Sequence, residues 1–217
     1  MVEAKTPEEA LKVLQEADYG KSGSDSVNIF DYENLLRDEN KKVYSLIKEI
    51  APEPEIFDLF LISNDYHNIK VLLKSEFSQK SNDNLLVDSG SIPQGRLKTM
   101  LRDRDFTNMP VIMKNAIEEC IEAYNKTSDP QVIDIILDKA SYKQMKDTSQ
   151  KSGSKFIRDL VTLFIDLANI KTFLRVKALN KTWDFLQKVL IPEGSIDIKF
   201  FVQNLENPLD SFVDALQ

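Results

Sequence analysis

The chain offers few residues that could do chemistry. Its 217 positions hold one histidine, His67, and one cysteine, Cys120. Metal ligation needs several His, Cys or carboxylate groups converging on a point, and nucleophilic catalysis needs a base beside the nucleophile. His67 has no Cys or His partner for a metal site, and Cys120, in AIEECIEAY, has no base near it in sequence. Cys120 sits among apolar helical neighbours and reads as a small core residue; His67 reads as a solvated surface residue. Glu118, Glu119 and Glu122 fall on the exposed side of the same helical pattern, which makes them solubilising charge. DSGSIPQG, at 88–95, lacks the Gly-Lys-Ser/Thr that would hold a nucleotide phosphate. No catalytic residue, metal, cofactor or small-molecule substrate is expected.

What the polar residues do show is repetition. DYHNIKVLLK at 65–74 returns as DLANIKTFLR at 166–175, so Asp65, Asn68 and Lys70 recur as Asp166, Asn169 and Lys171 at a constant offset of 101. FDYENLLRD (30–38) overlies QVIDIILDK (131–139) at the same offset, and DSGSI (88–92) overlies PEGSI (192–196) at 104. NPLDSFVDALQ (207–217) resembles TPEEALKVLQ (6–15), as if a third copy opened there. Repeats of about 100 residues are too long for a solenoid unit and suggest whole helical lobes.

The elements that must position these residues are helices. Only six glycines occur, and apolar residues follow the helical period rather than alternation. Pro7 marks a helix start running toward Gly20. Further helices are expected near 28–49, 55–77, 93–102, 110–125, 129–148, 154–178, 183–190 and 196–205. Ile62, Tyr66, Ile69 and Leu73 form an apolar stripe, and the repeat predicts the same stripe at Leu163, Leu167, Ile170 and Leu174. Asp65 and Asn68 lie along one border of the stripe and Lys70 along the other, placed to bond a neighbouring helix. Val176, Leu179, Trp183, Leu186 and Leu190 make a second stripe on the opposite face. That change of face implies either a break near LNKT, with Thr182 capping the next helix, or one long helix packed on both sides; the break is the expectation.

The formal net charge of −7 argues against a general nucleic-acid binder. It is unevenly spread: residues 151–190 hold eight Lys or Arg against three Asp, +5, leaving −12 for the remainder. Within that segment Arg175, Lys177 and Lys181 are candidates to face an acidic partner or an anionic membrane surface. One cysteine excludes an intramolecular disulfide and fits a reducing compartment. The apolar runs, such as LVTLFI, are too short to span a bilayer.

Taken together, SNDYHNIKVLLK, DSGSI, DPQVIDIILDKASYKQM and FIDLANIKTFLRVKALN followed by LIPEGSI resemble the C subunit of the V/A-type rotary ATPases, the counterpart of the vacuolar d subunit. The resemblance implies an all-α protein of pseudo-symmetric lobes that caps the membrane proteolipid ring on its cytoplasmic side. It further implies that the protein receives the foot of the central stalk, and so couples ATP hydrolysis or synthesis to ion transport without binding nucleotide. The expected lobes are 1–105, lacking an opening helix, 106–205, and the start of a third at 206–217, as in a fragment. The alternative is a cytosolic all-helical repeat scaffold for protein–protein interaction.

Overall fold

The computed structural model describes residues 3–20, 32–51 and 53–216, and among them every regular element is helical. The all-α expectation holds. The chain divides into two compact units, Met1–Asp58 and Leu59–Gln217.

The first unit carries α1 (Pro7–Glu16) and α2 (Tyr32–Ile50). Thr6 caps α1 by accepting from the Glu9 N–H, and Pro7 stands at the first turn, where a missing N–H costs no intrahelical bond. α1 stops at Glu16, before Gly20, because Asp18 already takes a positive φ of 71°. The expected helix over 28–49 is α2; residues 28–31 and the GKSGSDS loop beyond Gly20 lie outside the described residues.

The second unit holds α3 (Ile62–Ser78), α4 (Gln94–Asp103), α5 (Val111–Thr127), α6 (Gln131–Lys151), α7 (Lys155–Ala178), α8 (Trp183–Val189), α9 (Ile198–Gln203) and α10 (Leu209–Ala215). A 3-10 run, Pro54–Leu61, precedes α3, so the helix expected from residue 55 is α-helical only from 62. α6 is central, packed against α3, α5 and α7. Its neighbour α5 buries Met113, Ala116, Ile117 and Cys120 at helical spacing, and the Cys120 thiol points at the Ile133 carbonyl. Glu118, Glu119 and Glu122 are exposed.

Helix ends follow local chemistry. Gln79, Arg104 and Ser128 take left-handed φ values of 54°, 55° and 54° and stop α3, α4 and α5. α5 and α10 open alike, with Pro110 (φ −52°, ψ 136°) and Pro208 (φ −53°, ψ 148°) as N-caps. The break near LNKT is real. α7 ends at Ala178, Asn180 turns with φ 49°, and the Thr182 hydroxyl accepts from the Phe185 N–H to start α8. Across it, Phe173, Val176, Leu186, Leu190, Phe201, Leu205 and Phe212 form one apolar cluster, while Leu179 and Trp183 of the expected second stripe are exposed.

Candidate functional site

The repeated Asp and Asn residues are all buried, and they bond loops rather than helices. Asp65 and Asn68 are fully buried on α3. Asn68 exchanges two hydrogen bonds with one residue: its amide donates to the Val87 carbonyl, and its oxygen accepts from the Val87 N–H, both at 2.9 Å. One turn earlier, Asp65 accepts from the Ser91 N–H (3.2 Å), the Ser91 hydroxyl (2.5 Å) and the Ile92 N–H (3.0 Å). A side chain with one donor and one acceptor can complete an extended residue's backbone pair, and a carboxylate can only accept. The helix therefore clamps the returning segment 87–92 at two points.

The second copy makes the same clamp. Asn169 donates to the Ile191 carbonyl and accepts from its N–H, both at 2.8 Å. Asp166 accepts from the Ser195 hydroxyl (2.5 Å) and the Ile196 N–H (3.1 Å). Gly90 and Gly194 sit so near Asp65 and Asp166 that a Cβ on either would overlap the carboxylate Oδ1. For Asp65, Asn68, Asp166 and Asn169 the expectation of a bond to a neighbouring helix is therefore corrected, whereas Lys70 does bond one, at Asp138 of α6. Helix backbone is already satisfied internally, whereas a non-helical return segment has N–H and C=O groups to offer.

The copies part on the opposite border. α3 is covered by α6: Ile62, Tyr66, Ile69 and Leu73 are buried as expected, the Tyr66 hydroxyl donates to Gln144 Oε1 at 2.9 Å, and Lys70 pairs with Asp138. Burial pushes the Tyr66 phenol well above its ordinary range. The corresponding stripe on α7 is not buried. Leu163, Leu167 and Leu174 are 50%, 42% and 38% exposed, and Ile170 is half-buried. α7 instead buries Ile157, Val161, Ile165, Asp166, Asn169, Phe173 and Val176; Asp166 and Asn169 bond its return loop, and Phe173 and Val176 pack with Leu186 of α8. Among the described residues no helix covers this stripe as α6 covers the one on α3.

Among the basic candidates, Lys177 is engaged. Its ammonium donates to the Leu205 and Asn207 carbonyls, each at 2.6 Å. Lys171, Arg175 and Lys181 are exposed. His67 is exposed, with Nε2 at 2.9 Å from the Leu85 carbonyl. Burial pushes the Cys120 thiol up to about 12, which keeps it protonated and unreactive. Among the described residues no three His, Cys, Asp or Glu side chains gather to hold a metal, and none of the helices is long and apolar enough to cross a membrane.

Ser91, Ser195, Gly90 and Gly194 do not stand out in the sequence as site residues, although GSI recurring at offset 104 was the available signal. Joined to Asp at offset 101, it defines the clamp: a carboxylate, a serine to satisfy it, and a glycine to let it approach.

A family model described as ATP synthase (C/AC39) subunit matches residues 1–217. The chain is 27% identical to the V-type sodium ATPase C subunit of Enterococcus hirae, over 86% of this chain and 57% of that protein. It is 26% identical to the A-type ATP synthase C subunit of Pyrococcus abyssi, over 90% of this chain and 55% of that one. The figures for the A-type ATP synthase C subunit of Methanocaldococcus jannaschii are 26%, 89% and 53%. The chain thus spans a little over half the length of these relatives. No solved structure gives a significant match.

Proposed function

Because the chain belongs to the ATP synthase (C/AC39) subunit family, we propose that it acts as a non-catalytic central-rotor element of a V/A-type ATPase. In this reading it is a helical socket, peripheral to the membrane on its cytoplasmic face, joining the central stalk to the proteolipid ring. Through it, ATP hydrolysis or synthesis would be coupled to ion movement that takes place in other chains.

The observation that carries the reading is the pair of clamps. A coupling element must pass torque between partners without deforming, and close-packed, fully bonded interiors resist deformation. Here Asp65, Asn68, Asp166 and Asn169 are consumed in fixing helix to loop, with their bonds directed largely to backbone. The relatives named as C subunits of an ATPase or ATP synthase support the same assignment.

The test is recovery of the chain from native membranes solubilised in mild detergent. It is expected to sediment with the stalk and ring subunits. Recovery only in the soluble fraction, free of ATPase subunits, would overturn the assignment and favour the scaffold.

A further inference from the structure

Most charged side chains of α6 are partnered. Asp134 and Asp138 hold Lys74 and Lys70 of α3, Lys151 pairs with Asp147 at 2.7 Å, and Lys146 donates to the Thr162 hydroxyl at 2.5 Å. Lys139 and Lys143 are the exceptions. They stand one turn apart on α6, and the described residues give neither of them a hydrogen bond or an ion pair.

Both line a groove of about 320 Å³ between α5 and α6, whose apolar walls include Ile112, Ala116 and Pro192. Lys143 is exposed at its edge, and Lys139 is half-buried within it. Among the described residues Glu119 of α5 is the carboxylate that lines the groove, and it acts on Lys139 through its charge without bonding it. Burial pushes the Lys139 ammonium below the ordinary lysine range, and Glu119 opposes that without cancelling it. An ammonium that loses water without gaining a bonded counterion gives up its proton more readily, and the free amine is the nucleophile.

We propose that Lys139 is an acylation site for small acyl phosphates, with Lys143 receiving the phosphoryl group. The Lys139 amine attacks the carbonyl carbon, and a nitrogen–carbon bond forms as the bond from that carbon to the phosphate oxygen breaks. Phosphate leaves with the bonding electron pair and takes up the proton released by the nitrogen, so nothing is oxidised or reduced. The exposed ammonium of Lys143 selects an acyl phosphate over an uncharged acyl donor, because it is placed one turn away to meet the phosphate charge. The product is a neutral amide, which suits the apolar walls better than an unpaired ammonium does.

The probe is acetyl phosphate, incubated with the whole chain near neutral pH, with the occupancy of each lysine followed in time by peptide mass spectrometry. Lys139 is expected to be acetylated about three- to tenfold faster than the exposed Lys181 and Lys188, as a modest loss of affinity for the proton allows. A second reagent, the uncharged N-hydroxysuccinimidyl ester of acetic acid, separates the amine from the phosphate contact. K143Q should lower the Lys139 rate with acetyl phosphate, relative to its rate with the ester, about two- to fivefold. E119Q should accelerate both reagents, because the carboxylate that favours the ammonium is gone. Glu119 and Lys143 are both exposed, so helical CD spectra are expected to stay intact in these variants. Acetylation of Lys139 by acetyl phosphate no faster than that of Lys181 and Lys188 would overturn the site. A ratio of the two rates that K143Q leaves unchanged would overturn the phosphate contact.

Discussion

Asp65 stands against Gly90 with no room for a Cβ between them, and Asp166 stands against Gly194 in the same way. Neither glycine has a positive φ, so what each position requires is space rather than backbone freedom. Alanine at Gly90 or Gly194 must push the loop off the carboxylate and stretch its bonds, at an expected cost of about 1–3 kcal/mol each. The readout is a lower urea midpoint at constant m. Gly95 is the control: nothing lies within 4 Å of its added Cβ, and it sits in α4, so alanine there should stabilise by up to about 1 kcal/mol. Equal shifts for Gly90→Ala and Gly95→Ala would show that the close approach carries no energy.

Asn68 and Asn169 should prove interchangeable in their energetics. Alanine at either removes two hydrogen bonds and strands the N–H and C=O of Val87 or Ile191, for a loss of about 2–4 kcal/mol. Aspartate is the sharper probe. It can still accept from the N–H, but it sets a charge against the carbonyl that the amide formerly served, so it should be at least as damaging as alanine. Urea titrations in which Asn→Asp is neutral at both sites would mean the donated bond is dispensable.

How far the clamp was legible in sequence depends on the same residues. Helix content and most boundaries could be read, because apolar period, proline starts and the Thr182 cap are local signals. The clamp's acceptors were visible as repeated Asp and Asn, but not their partners. Val87 and Ile191 contribute backbone atoms, which leave no trace in residue type. The stripe on α7 departs from expectation for another reason. Leu163, Leu167 and Leu174 match Ile62, Tyr66 and Leu73 in character, and character alone sets the helical pattern. Burial depends on what lies across the face, and α6 lies across α3.

Cys120 makes stability depend on alkaline pH. Burial is the main cause that raises its thiol from an ordinary 9.0 to about 12, with the charges of Glu119 and Asp134 adding to it. Above pH 9 the unfolded chain gives up this proton while the folded chain keeps it, so unfolding is favoured as pH rises from about 9 toward 12. Urea midpoints should therefore fall between pH 8 and about pH 10.5, and fall less steeply in Cys120→Ala. The thiol should also resist Ellman's reagent at pH 8 until urea is added. Rapid reaction of the native chain would contradict the burial.

The helix α10 is anchored in two ways that can be separated, by the packing of Phe212 and by bonds to the chain just ahead of it. Phe212 stacks on Phe173 with ring centroids 4.1 Å apart and planes 22° from parallel. Lys177, also on α7, donates to the Leu205 and Asn207 carbonyls just ahead of α10. Phe212→Ala opens a hole in the apolar cluster and should cost about 3–5 kcal/mol where the whole cluster must open. Lys177→Met releases two carbonyls near the surface, where water can replace the ammonium, so its cost should be nearer 1 kcal/mol. Native-state hydrogen exchange distinguishes the two effects from global destabilisation. Amides of α9 and α10 should exchange faster in both variants, more so in Phe212→Ala, while those of α3 and α6 keep their protection. Uniform loss of protection across α3, α6 and α10 would mean that α10 opens only with the whole unit and that its anchor is part of the common core.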